Sequence, residues 1–280
     1  MTTGNDRKST TGNDRESTTG NDRKSGGRTA RATDEAVVRA LLDRQQRTYA
    51  EQAGIRLRNT PAPLYQTLVL ATLLSAPIRA GTAVAAARAL FEAGLRTPRA
   101  MLEASWQDRV DALGRGGYRR YDERTATMLG NGAALLLDRW HGDLRRLREE
   151  PDPKQALLDL PGIGPTGADI FLRDVQGVWP ELAPYIDRKA LEGARRLGLP
   201  VSPGKLGGLA PGRDLTRLAD GLVHAALDKP LAGEVLAAAT ATRGPPGGGL
   251  GRGARGGGGI NPEWYKTKNT PTQEGVFIRV

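Results

Sequence analysis

The chain has no cysteine, which excludes both disulfide bonds and a cysteine-ligated iron–sulfur cluster. Histidine is nearly as scarce. His141 and His224 are the only two, too few and too scattered for a histidine metal site, so neither metal nor cofactor is expected. No stretch reaches the roughly 18 apolar residues of a membrane span, and the charged N-terminus has no secretory apolar core. These absences point to a cytoplasmic protein that needs no staple.

What is present is positive charge. Forty-one Lys and Arg face thirty-one Asp and Glu, a formal charge of +10 on 280 residues. Such a chain attracts polyanions over about 8 to 10 Å at ordinary salt. By sign alone nucleic acid is the favoured partner, with an anionic membrane or simple solubility as the plain alternatives. If DNA is the partner, the protein belongs on the nucleoid. At 29.9 kDa the chain can bury one substantial core or two modest lobes.

Residues 1–32 contain an eight-residue repeat, with Thr-Gly-Asn-Asp-Arg at 3–7, 11–15 and 19–23, and almost nothing apolar to bury. A disordered tail is the expectation. From Asp34 apolar residues recur at helical spacing, predicting a first helix to about Ala53. Further helices are predicted over 61–75, 80–91, 98–102, 106–113, 121–140, 188–197 and 214–227, with a Gly/Pro loop over 201–213. Residues 244–280 are a Gly/Arg-rich linker followed by a tail with a Trp264-Tyr265-Lys266 cluster. The domain is therefore expected over 33–243, all helical.

The most informative stretch is Leu157-Leu158-Asp159-Leu160-Pro161-Gly162-Ile163-Gly164-Pro165-Thr166-Gly167-Ala168-Asp169-Ile170-Phe171-Leu172. An apolar helical run breaks at a Pro-Gly-Ile-Gly corner and resumes, which predicts a helix-turn-helix over about 154–176. Gly162 and Gly164 can take positive φ and leave backbone N–H groups uncovered near the start of the second helix, a nest suited to phosphate. Ile163 pins the turn to the core, and Pro165 suits a first helical turn.

This pattern resembles the helix-hairpin-helix of the endonuclease III and MutY-like DNA glycosylases, the HhH-GPD superfamily. The resemblance runs from about Pro61 to about Asp228. It extends to Ala183-Pro184-Tyr185-Ile186-Asp187-Arg188-Lys189, where the family has an invariant aspartate, and to Gly117-Tyr118 and Leu73-Leu74-Ser75-Ala76 upstream. It implies a two-lobed all-α fold and a partner in double-stranded DNA with a damaged or mismatched base, bound by a monomer. It also implies Asp187 as the catalytic acid, with Gly162, Ile163, Gly164, Thr166, Arg188, Lys189, Arg119 and Arg120 on phosphate. Pro77, Tyr118, Tyr121 and Tyr185 would sit at the base pocket or intercalation point.

Two positions depart from the family. Pro77 stands where a glutamine usually enters the duplex, and it has no amide to offer an orphan base. Thr166 stands where lyase-competent members carry lysine, and a threonine cannot form a Schiff base. The resemblance therefore implies a monofunctional glycosylase of base excision repair that uses water. Two other readings stay open: a non-catalytic DNA-binding protein of the same fold, and a helical scaffold for a protein partner. Asp187 also has a purely structural role available as a helix N-cap, worth about 0.5 to 2 kcal/mol.

Overall fold

The computed structural model describes residues 19–210 and 212–242. Among them every regular element is helical, thirteen α-helices and two short 3-10 turns. The helices are α1 (Thr19–Arg44), α2 (Tyr49–Gln52), α3 (Pro61–Leu74), α4 (Ala80–Glu92), α5 (Pro98–Glu103), α6 (Trp106–Arg115) and α7 (Asp122–Trp140). A 3-10 turn (Leu144–Glu149) leads to α8 (Pro153–Leu158) and α9 (Pro165–Val175), and a second (Pro180–Leu182) to α10 (Arg188–Arg196). The chain then forms α11 (Pro203–Gly207), α12 (Arg213–Leu227) and α13 (Lys229–Ala241).

The buried apolar residues fall into two clusters, and these make the two lobes. The first runs from Tyr49 to Trp179 and holds α2 to α9. Its centre is α3, started by Pro61 and Pro63 and apolar on nearly all sides, with Leu64, Leu70, Leu73 and Leu74 sealed from solvent. A helix of that composition is stable only when surrounded, here by α4 and α9 among others. The second cluster joins α1 to α10, α12 and α13 through Val37, Leu41, Ala194, Leu218, Leu222 and Val235. The lobe is therefore assembled from the two ends of the described chain. Arg217 of α12 fastens it by donating to the carbonyls of Leu42 and Gln45 where α1 ends.

Most of the expected helices appear within a residue or two, and four features differ. The first helix does not run to Ala53. It stops at Arg44, and Thr48 with Glu51 forms a capping box that starts α2 afresh. It also begins earlier, at Thr19 inside the third repeat, so residues 19–32 of the expected disordered tail are helical. An Arg31–Glu35 pair at 3.0 Å supports that extension one turn ahead of the packed face. The predicted loop over 201–213 contains α11, opened by Pro203. Beyond Leu227 the chain adds α13, capped by Asp228. Residues 1–18 and the glycine-rich tail at 243–280 lie outside the described residues.

Where α10 crosses α12 the two backbones nearly touch, and this contact orients the start of α10. A Cβ on Gly193 would fall 1.8 Å from the carbonyl oxygen of Leu222, a distance that only backbone movement can relieve. Gly193→Ala is therefore expected to destabilise the protein by about 2 to 3 kcal/mol or more in urea unfolding. Gly233→Ala is its control. A Cβ there meets nothing within 4 Å on α13, so the same substitution should instead add about 0.4 to 1 kcal/mol. Equal effects at the two sites would contradict the packing described.

Candidate functional site

The hairpin joins α8 to α9. The Ile163 N–H donates to the carbonyl of Leu160 at 3.0 Å, and the Ile163 side chain is buried in the first lobe, so the corner is anchored rather than free. Its two glycines serve different ends. Gly162 has φ +89°, and a Cβ there would also meet Met128 at 2.6 Å and Thr72 at 3.2 Å. Glycine is thus needed at 162 to fold the turn. Gly164 has φ −96° and ψ −176°, which any residue can adopt, and a Cβ there would meet nothing within 4 Å. Neither its backbone angles nor any neighbour requires glycine at 164, which serves as the N-cap of α9. The bare backbone there leads into α9, whose first turn carries Pro165 and has no side-chain cap.

Asp187 is set from the hairpin's second helix, α9. Gln176, at the end of α9, donates to the carbonyl of Tyr185 at 3.0 Å and accepts the Tyr185 N–H at 2.9 Å, tying the segment ahead of Asp187 to the hairpin's second helix. Asp187 is the N-cap of α10, its Oδ1 accepting the Ala190 N–H at 3.0 Å. Its Oδ2 accepts from a terminal guanidinium nitrogen of Arg173 on α9. The Nε of Arg173 donates to Oδ1 of Asp220 on α12 at 2.9 Å. The side chains of Arg173, Asp187 and Asp220 are 4%, 3% and 1% exposed, so the trio is a buried ion cluster between the lobes.

Burial alone would discourage the charge on Arg173. Asp187, Asp220 and Asp174 outweigh that effect and hold the guanidinium above its ordinary pKa. Asp174, next in sequence and buried, is pushed well above the usual carboxylate range by desolvation and by Asp220, with Arg173 opposing. One turn along α12 from Asp220, His224 is held below its ordinary value, chiefly by burial. Its ring packs 4.6 Å from that of Tyr49.

Above the trio lies a cleft of about 320 Å³. Pro165 and Thr166 line it from the start of α9, and Asp169, Ile170 and Arg173 from the turns that follow. Asp187, Arg188, Lys189 and Glu192 line it from α10, with Leu74, Tyr49, Val223 and Leu227 completing the wall. Tyr185 reaches its edge by donating to Asp169 at 2.5 Å, an oxygen that Lys154 also contacts. Glu192 pairs with the Lys189 ammonium at 2.8 Å and, at 3.6 Å, with Arg188, whose side chain is almost wholly exposed.

The structure thus brings together Asp187, Thr166, Arg188 and Lys189 at one cleft, with Gly162, Ile163 and Gly164 in the turn leading into it. It does not bring the expected aromatic wall. Tyr118 is 2% exposed inside the first core, its hydroxyl accepting from Thr125, so it packs rather than faces a ligand. Tyr121 packs against that core under Arg120, and neither Arg119 nor Arg120 lines the cleft. Pro77 is exposed three residues beyond Leu74, outside the lining. The aromatic residue that does line the cleft is Tyr49, from the other end of the domain.

Sequence reasoning also passed over Arg173, Asp220 and Gln176. Each is a polar residue buried among apolar positions, Arg173 just after Ile170-Phe171-Leu172 and Asp220 between Leu218 and Leu222. That interruption of an apolar face was the available signal. No group of three or more potential metal ligands occurs among the described residues, and no described helix is long and apolar enough to cross a membrane.

No protein-family model and no curated protein matches the chain. Among solved structures it is similar to endonuclease III in a trapped covalent intermediate with DNA, an estranged-adenine complex. The identity is 20%, the TM-score 0.40, and the match covers 68% of this chain and 84% of that one. At that level of likeness the chemistry has to come from this chain's own residues.

The raised pKa of Asp174 gives a testable sign. An acid whose pKa is raised on folding contributes stability below its unfolded value, near 3.8, and that contribution is lost as pH rises through the folded value. Asp174→Asn, neutral at every pH, should therefore gain stability over the wild type on going from about pH 5 to about pH 8 in urea unfolding. An unchanged difference across that range would contradict the assignment.

Proposed function

We propose that the chain is a DNA glycosylase of the helix-hairpin-helix type, hydrolysing the bond between a damaged or mismatched base and its deoxyribose in duplex DNA. The observation that carries the reading is that Asp187 and the opening residues of α9, Pro165 and Thr166, line one cleft. The uncapped start of α9 behind the open Gly164 is an anion site by its backbone dipoles, and a phosphate gripped there would hang its sugar over the carboxylate.

The target nucleotide must first leave the stack, which costs a few kcal/mol and least at a damaged or mismatched pair. The bond from C1′ to the base nitrogen then stretches, and positive charge develops on the sugar. Asp187, fixed by the Ala190 N–H and by Arg173, stabilises that charge and orients a water molecule. The water oxygen bonds to C1′ as the base departs with the electron pair of the broken bond, and the proton that the water gives up balances the one that the base takes up. Thr166 offers no amine for a Schiff base, and the amine that does line the cleft, Lys189, is engaged by Glu192, so hydrolysis is the step proposed for this cleft.

A second reading has an observation of its own. Both oxygens of Asp187 already hold protein donors, as expected of a structural carboxylate in a DNA-binding protein without catalysis. The two readings separate in one assay. Duplexes carrying uracil, alkylated purines, 8-oxoguanine or mismatches, treated with alkali after incubation, should show base release by the wild type. Asp187→Asn should release about a hundredfold less. Release by the mutant at the wild-type rate, or none by the wild type on the full panel, would remove the catalytic reading.

Gly164 tests the grip. Gly164→Ala should weaken duplex binding roughly tenfold by crowding the phosphate while lowering the thermal midpoint only slightly, the cost of alanine at the N-cap of α9. Gly162→Ala should lower the midpoint much further, because its φ and its neighbours both forbid a Cβ. Undiminished DNA binding by Gly164→Ala would show that no phosphate approaches there.

A further inference from the structure

The ion cluster beneath the cleft raises a problem of sign. A guanidinium bonded directly to Asp187 cancels much of the negative charge that a developing sugar cation would feel. Arg173 is too buried for solvent to screen this effect. An isolated Arg173–Asp187 pair would leave the cleft floor nearly neutral and poorly suited to its chemistry. The floor is not an isolated pair, however, because the other side of the same guanidinium faces Asp220.

Asp220 lies outside the cleft lining, and its Oδ2 is buried without any hydrogen-bond partner. A buried carboxylate with an unsatisfied oxygen is costly and is retained only where something offsets it. Arg173 is the cation it bonds, so two carboxylates share one guanidinium and the trio carries a net single negative charge. The buried neighbours of the trio leave that balance alone. Asp174 is shifted toward its neutral acid form and His224 toward its neutral base form, both chiefly by burial.

We propose that Arg173 and Asp220 are positioning residues for Asp187, Arg173 fixing the carboxylate over the cleft and Asp220 drawing off the guanidinium's charge so that the floor stays anionic. This inference rests on the glycosylase reading and concerns how its central carboxylate is kept effective. Arg173 presents Nε to one aspartate and a terminal nitrogen to the other, a two-sided geometry that a lysine cannot reproduce.

The test uses the full chain and two duplexes of one sequence, and it needs no knowledge of the base removed. One duplex carries a neutral tetrahydrofuran abasic analogue, and the other a pyrrolidine analogue whose ring nitrogen is protonated at neutral pH and so mimics the cationic sugar. The wild type should bind the charged analogue more tightly, and Asp187→Asn should lose that preference. Asp220→Asn keeps an oxygen for Arg173 but removes the charge. It should reduce the preference about three- to tenfold and leave affinity for the neutral duplex unchanged.

Arg173→Lys is the second variant, should Asp220→Asn fail to fold. It keeps the charge without the two-sided grip and should lower the preference in the same way. A purely structural role for the two residues would weaken both duplexes equally, and that result would overturn the inference. So would wild-type preference in both variants beside its loss in Asp187→Asn, an outcome that leaves the glycosylase reading standing. A wild type indifferent to the charge would instead sink the reading itself.

Discussion

One guanidinium between two carboxylates is the constraint around which this structure is arranged. Arg173 stands on the last turns of α9, in the first lobe, and its partners Asp187 and Asp220 belong to α10 and α12 of the second. Each of these charges would be strongly unfavourable alone at that depth, and each is tolerated because the others are there. Removing one partner of such a cluster typically costs about 3 to 5 kcal/mol. The same contact that joins the lobes therefore also fixes the carboxylate on which the proposed chemistry depends. Stability and site geometry are coupled through a single side chain.

The hairpin shows a complementary division of labour. Gly162 is demanded from within, by its backbone angle and by Met128 and Thr72 against it, and Ile163 anchors the corner in the core. At Gly164, the N-cap of α9, neither the backbone angle nor any neighbour excludes a side chain. Under the proposed function that open position is where another molecule's backbone would come close. Gln176, bonded to both the N–H and the carbonyl of Tyr185, carries that rigidity from α9 to the segment that delivers Asp187.

Much of this was legible in the sequence, and what was not has a physical reason. Helical periodicity located the long elements, and the Pro-Gly-Ile-Gly corner located the hairpin with α8 and α9 on either side. The break after Arg44 leaves no mark in the apolar spacing, which continues through it, and only the Thr48–Glu51 capping box signals the restart. Tyr118 and Tyr121 were expected at the pocket on local motif alone. Which face an aromatic side chain takes depends on packing, and packing sent Tyr118 inward while bringing Tyr49 to the cleft from far along the chain. The trio was illegible for the same reason. Arg173 and Asp220 are distant in sequence, and nothing short of the folded lobes reveals that they share a bond.

The proposed geometry is tested by a crystal structure of the protein with a duplex containing a tetrahydrofuran abasic site. A backbone phosphate is expected against the Gly164 corner and the opening amides of α9, with the extruded sugar inside the cleft facing the Asp187 carboxylate. A duplex seated on another face of the protein, or a sugar held away from Asp187 with Arg173 or Thr166 in between, would contradict it.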